Sequence, residues 1–168
     1  AVQTEHLLRA LPLGEERRVC RALATEVAYL SVQGPAAARR ARRLAEKVFA
    51  LADRLGDPYL AYGAQMCAGF TTFFAGNFRG AIQAFTEAER GLATDVVGAW
   101  WERNTARFFL CLAQINAGDF VGLRGTLELA VVDALRRKDV FTRNLFATHP
   151  TVWCALCDDR TDGVLAGV

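Results

Sequence analysis

Two stretches 42 residues apart carry the same punctuation. Ala75-Gly76-Asn77-Phe78-Arg79-Gly80-Ala81 aligns without a gap on Ala117-Gly118-Asp119-Phe120-Val121-Gly122-Leu123. In each, a glycine able to adopt the left-handed conformation can end one helix, and an Asn or Asp side chain can cap the next. The residues before the first break, Tyr59 to Phe74, are apolar apart from Gln65, Thr71 and Thr72. Those after it, Phe78 to Leu92, are amphipathic. Ala81, Ile82, Phe85, Ala88 and Leu92 share one face, with Arg79, Gln83, Glu87 and Glu89 on the others. Helices joined by about three residues run antiparallel. Such a pair cannot bury its apolar face alone and needs copies of itself on either side.

The second copy is Trp100 to Ala117 followed by Phe120 to Arg137, with Leu123, Leu127, Ala130, Val131 and Leu135 inward. Phe85 and Ala88 map onto Leu127 and Ala130, and 40 residues upstream Ala41, Ala45 and Val48 hold the same places. Gly69 and Cys111 supply small side chains where the first helix of each pair approaches the second. Between the copies, residues 94–98 form a longer connection in which Val96 and Val97 pack. Upstream, Glu15 to Gln33 carries the stripe Val19, Cys20, Leu23, Val27 and Leu30; Ala36 to Leu55 carries Ala41, Leu44, Ala45, Val48 and Leu51. Gly34-Pro35 and Gly56-Asp57-Pro58 separate these helices. A short helix over residues 1–11, with Leu7, Leu8 and Leu11 on one side, is interrupted at Pro12. Downstream, Asp139 opens a helix that Pro150 kinks or restarts; Trp153, Cys154 and Leu156 continue its apolar face. Thr161-Asp162 is a candidate cap for a further helix.

Repeated helical pairs with small–large–small spacing are the signature of a tetratricopeptide-like solenoid, whose ideal period is about 34 residues. The expected fold is therefore all-α: a right-handed superhelix of antiparallel helix pairs, about seven or eight helices, in one domain over residues 1–168. Its units fall at about 15–56, 57–94, 98–138 and an incomplete 139–168. The longer period departs from the ideal, as do Thr72, where tyrosine is usual, and Leu123, where alanine is usual. Both ends of the sequence suggest a piece of a longer protein.

Composition narrows the function classes. A net charge of +2 does not favour nucleic acid or a polybasic membrane anchor. There is no apolar run of about 18 residues, so no transmembrane helix is expected, and the reading is cytoplasmic. Five cysteines at irregular spacing, all in apolar helical stretches, read as small buried hydrophobes in a reducing compartment. Cys154-Ala-Leu-Cys157, even with His149 nearby, lacks the second ligand pair a metal site needs. No metal, cofactor or catalytic residue is assigned.

Three phrases, LAEKVFALADRLGDPYLAYGAQMCAGFTTFFAGNFRGAIQAFTEAERGL, VVGAWWERNTARFFLCLAQINAGDF and ALRRKDVFTRNLFAT with CDDR after it, resemble in that order the C-terminal repeat region of large bacterial serine/threonine protein kinases. In that family an N-terminal kinase domain is followed by an AAA-like ATPase and a tetratricopeptide array. The resemblance covers residues 15–160 and implies a regulatory, protein-interaction module. The glycine-rich loop, His-Arg-Asp and Asp-Phe-Gly motifs of a kinase are absent from the sequence, as is a phosphate-binding Gly-Lys-Ser/Thr loop. The chain itself is therefore read as non-catalytic, although its parent could be a kinase.

If the first helix of each pair lines a concave face, that face is built by Glu26, Leu30, Met66, Phe70, Phe73, Phe108, Leu112, His149 and Trp153. Arg39, Arg40 and Arg43 would stand at its rim. So apolar a groove would suit a protein or peptide partner, or the parent's own kinase or ATPase domain, with aromatic anchors. A large closed cavity under Phe70, Phe73 and Phe108 would instead favour a small-molecule-sensing domain attached to an ATP-dependent transcriptional regulator. Unpaired solenoid ends would also allow a homodimer.

Overall fold

The structure is a computed structural model describing residues 2–159. These residues form nine helices and no strand: α1 (Val2–Leu13), α2 (Glu16–Ser31), α3 (Pro35–Leu55), α4 (Pro58–Phe74), α5 (Phe78–Thr94), α6 (Trp100–Ala117), α7 (Phe120–Arg137), α8 (Val140–Thr148) and α9 (Pro150–Cys157). The Thr161-Asp162 cap lies outside the described residues.

The repeated break folds as its residues dictate. Gly76 has φ 80° and Gly118 φ 73°. The next backbone N–H reaches back over each, from Asn77 to Thr72 O and from Asp119 to Gln114 O, both 2.9 Å. Asn77 then accepts from Gly80 N at 3.0 Å, and Asp119 from Gly122 N at 2.9 Å. A Cβ at position 122 would meet Asp119 Oδ2 at 2.3 Å, so the motif's last glycine lets the cap fold over the chain. A third copy ends α7. Asp139 N donates to Ala134 O at 2.9 Å, and Asp139 caps α8 through Thr142 N. Its left-handed residue is Lys138, φ 55°, not glycine.

Each helix from α2 to α7 packs on its successor, and α2 also packs on α4. The chain does not simply propagate beyond α7. Pro150 restarts the helix, and α9 turns back onto α6 and α7. One core cluster joins α4, α5 and α6 through Met66, Phe70, Phe85, Leu92 and Leu110; a second joins α2, α3 and α4; a third joins α6, α7 and α8 around Cys111, Leu123 and Phe146. Gly69 sits against Phe85, where an added Cβ would fall 2.6 Å from the ring. Phe70 meets Phe85 edge-on at 5.3 Å and Phe109 at 4.8 Å, and each such pair adds about 0.5–1.5 kcal/mol to its burial.

Five expectations change. The first helix runs through Pro12, because a proline in the last turn removes only one of the final hydrogen bonds. Its buried residue is Ala10, while Leu8 and Leu11 are exposed. Of the 94–98 connection only Val96 packs, and Val97 is fully exposed. On α7 the inward residue of the last turn is Ala134, and Leu135 is exposed. Cys20, Cys67 and Cys111 are buried, but Cys157 is exposed.

Candidate functional site

Helices α2, α4 and α6 stand side by side because their partners α3 and α5 fill the space behind them. Near their crossing a cavity of about 250 Å³ opens to solvent. It is walled by Arg21, Ala24, Thr25 and Ala28 of α2, Tyr59, Gly63, Met66 and Phe70 of α4, and Trp101, Glu102 and Thr105 of α6. Ala24, Ala28 and Gly63 make the room, since larger residues there would close it.

Its polar groups are held in place. The Tyr59 hydroxyl donates to Glu102 Oε1 at 2.7 Å, and the Arg21 guanidinium lies over the Tyr59 ring, 5.1 Å from its centroid. Burial, and then the hydrogen bond to Glu102, push the Tyr59 phenol up to about 12. It is thus a neutral donor at ordinary pH. Cys20 and Cys67 also line the cavity; burial pushes the Cys67 thiol up to about 12 and raises Cys20 as well, so neither is a thiolate. The two donate instead to Ala24 O at 3.6 Å and Val48 O at 3.8 Å. This arrangement can bind an apolar group with a polar edge.

A second, broader depression of about 550 Å³ lies between α6 and α8, lined by Trp101, Asn104, Thr105, Phe108, Phe141 and Leu145 among others. Trp101 stacks on Phe141 at 5.7 Å, and both rings are largely exposed. Trp101 therefore belongs to both hollows and stands as the ridge between them.

The expected groove residues divide. Met66 and Phe70 line the first cavity and Phe108 the second. Phe73 packs into the aromatic cluster, 5.8 Å from Phe109. Leu112 is half-buried and lines neither hollow. His149 is exposed at the joint of α8 and α9, edge-on to Phe108 at 6.2 Å, and Trp153 is exposed on α9. Glu26 and Leu30 are buried on the side of α2 turned away from Arg21 and Ala28, so neither lines the cavity. Arg39, Arg40 and Arg43 lie on the outward face of α3, opposite its buried Ala41, Ala45 and Val48, and form no rim to either hollow. The sequence did not single out Arg21, Tyr59, Trp101 or Glu102 as site residues. A signal was present: Ala24, Ala28 and Gly63 are small residues on otherwise bulky helices.

Beneath these helices an ion-pair box ties α5, α6 and α7 together. Glu89 accepts from Arg103 at 2.8 Å and Arg107 at 2.7 Å; Asp133 accepts from Arg103 at 3.0 Å and Arg107 at 2.7 Å. Arg137 covers the Trp100 ring at 4.1 Å. Desolvation works against the Asp133 carboxylate, but the hydrogen bond from Arg107 and the neighbouring arginine charges outweigh it and hold its pKa below the ordinary value. Among the described residues no three His, Cys, Asp or Glu side chains gather as a metal site would need, and no helix is long and apolar enough to cross a membrane.

No family model matches this chain, and neither a curated protein nor a solved structure does.

Proposed function

We propose that the chain is a non-catalytic docking module of tetratricopeptide-like type, a regulatory part of a bacterial signalling protein, and that its α2–α4–α6 face binds a segment of a partner protein or of a neighbouring domain. The observation that carries this is the open, apolar cavity with a fixed polar edge, formed by three successive first helices of the pairs. A wall of Tyr59, Met66, Phe70 and Trp101 suits one buried apolar side chain. The recurrent turn and the packing of each helix on its successor support the solenoid reading. The space under Phe70, Phe73 and Phe108 is filled by rings in mutual contact with Phe109, which favours docking over the small-molecule sensor.

Affinity capture from a lysate of the source organism tests this, with native protein beside Thr25→Trp, which fills the cavity from an exposed position. A protein held by the native chain, lost by the variant and rebinding when purified supports docking. Thermal stabilisation by a metabolite mixture, with no protein held, would replace docking with sensing.

A further inference from the structure

A strongly charged surface lies away from both hollows. α3 carries six cations against Glu46 and Asp53, a charge of +4 on a chain whose total is +2, so the rest of the chain is net −2. At 3.6 residues per turn, Arg39, Arg40, Arg43 and Lys47 fall within an arc of about 100°, opposite the buried Ala41, Ala45, Val48 and Ala52. All four are exposed, and with Pro35, Ala36 and Leu44 they line an open depression of about 770 Å³.

Other cations of the chain find carboxylates. Arg17 pairs with Asp57, Arg54 with Glu16 and Arg124 with Asp158, while Arg103 and Arg107 share Glu89 and Asp133. Among the described residues no carboxylate comes within ion-pair distance of Arg39, Arg40, Arg43 or Lys47, and Glu46 on the same helix pairs with none of them. Arg39 has Arg43 one turn on, and Arg43 has Lys47. Like charges at that spacing repel and weaken a helix, so α3 holds a stripe whose repulsion a bound anion relieves.

Three of the four are arginines, whose planar fork takes a carboxylate or a phosphate through two parallel hydrogen bonds. The surroundings choose between anions. Glu46 and Asp53, both exposed, border the stripe on one side, and the rest of the chain is net negative. A long polyanion such as a nucleic acid would be repelled wherever it left the stripe. Only Ala36 and Ala50 stand between the charges, so the arc has no large apolar side chain to enter a bilayer. From Arg39 to Lys47 the helix advances about 12 Å, the reach of about four extended residues.

From this charge and its borders we infer that the outward face of α3 docks a short acidic segment of a protein, with three or four carboxylates seated on Arg39, Arg40, Arg43 and Lys47. This is the second helix of its pair, and the inference is independent of the docking reading of the α2–α4–α6 face.

The test is fluorescence anisotropy of a labelled 12-residue peptide with four central glutamates, titrated with the whole chain in about 50 mM salt. Saturable binding is expected, weakening several-fold in about 300 mM salt. Arg40→Glu/Arg43→Glu should weaken it about ten-fold, the scale of two reversed charges at an exposed contact. Arg79→Glu/Arg136→Glu makes the same change of net charge at exposed positions of α5 and α7 and should leave binding within about two-fold. Circular dichroism melting should find the α3 variant no less stable than the native chain, because its repulsion is relieved; Arg43→Gln, which removes one charge, should weaken binding about three-fold and decides the matter if the double variant melts early. Equal losses in the two double variants would make the binding a net-charge effect and overturn the inference, as would no binding at all. Tighter binding of a 12-nucleotide single strand or of phosphatidylserine vesicles, lost in the α3 variant, would give the face to that polyanion and overturn the protein partner. Each of these outcomes leaves the α2–α4–α6 cavity, probed by Thr25→Trp, untouched.

Discussion

The α4–α5 pair and the α6–α7 pair share one turn and one cap, yet different material fills the space between their helices. In the first, Gly69 lets the Phe85 ring lie directly on the α4 backbone, and Phe70, Phe73 and Phe109 close around it. In the second, Cys111 occupies the position of Gly69, and Leu127 that of Phe85. The packing there sets Leu123, Leu127 and Ala130 beside Phe108 and Phe146, with no ring laid on the α6 backbone, and the box of Glu89, Arg103, Arg107 and Asp133 adds charge. α7 also leaves Val121, Leu129, Val132 and Leu135 exposed, whereas α5 leaves no large apolar residue so. A turn code thus specifies that two helices pair. The size of one residue at the crossing decides how closely they do.

Arg107→Ala strikes the second pair hardest. Arg107 is 4% exposed, and its loss leaves Glu89 and Asp133 with Arg103 alone, so about 3 kcal/mol of stability should go, the scale for breaking a buried pair. Urea denaturation would measure it, and a loss below about 0.5 kcal/mol, the scale of an exposed pair, would show the box to be ornamental.

Next come the crossing residues. Gly69→Ala should destabilise by about 1 kcal/mol net, since overpacking costs about 1–3 kcal/mol and is offset by the roughly 1 kcal/mol of helix propensity gained. Cys111→Ala shrinks the side chain and should cost only about 1 kcal/mol as a small cavity. Thermal melts of both variants decide this; a more stable Gly69→Ala would refute close approach as the reason for that glycine.

Acid should separate the caps. Asn77 is neutral, but Asp139 is held below the ordinary carboxylate pKa, chiefly by the hydrogen bond from the Thr142 side chain, and Asp133 is held low as well. Their folded values lie under the unfolded value of about 3.9. Their contribution is therefore present above that pH and lost as pH falls through the folded values. On titration from pH 5 to pH 2, nuclear magnetic resonance should show α8 loosening before α5. Asp139→Asn should remove the effect at that cap.

The smallest effect concerns the third turn. Lys138 holds the left-handed conformation that glycine holds at 76 and 118. Lys138→Gly should stabilise by up to about 1 kcal/mol, the strain of a side chain in that region, and raise the melting temperature.

Much of the fold was legible. Gly56, Gly76, Gly118, Asn77, Asp119 and Pro150 mark helix ends within a residue or two, because capping and left-handed turns depend on neighbours in sequence. The site was less so. Met66 and Phe70, named for a concave face, line the first hollow and Phe108 the second. Glu26 and Leu30, named for the same face, are buried and line neither hollow, since a stripe of alternating polarity does not say which neighbour covers which side. Trp101 looked like one more core aromatic and proved to be the exposed ridge.

The sequence by itself determined an all-helical chain, most of its helix boundaries and the pairing of α4 with α5 and of α6 with α7, because these follow from local backbone chemistry and the helical period; it counted about seven or eight helices where the described residues form nine. Tertiary structure alone decided that α9 folds back on α6 and α7, that Arg103 and Arg107 bridge Glu89 and Asp133, and that Asn104 reaches Thr142 of α8. Those depend on distances between residues far apart in the chain, which are set by how side-chain volumes and charges fit once the helices have met.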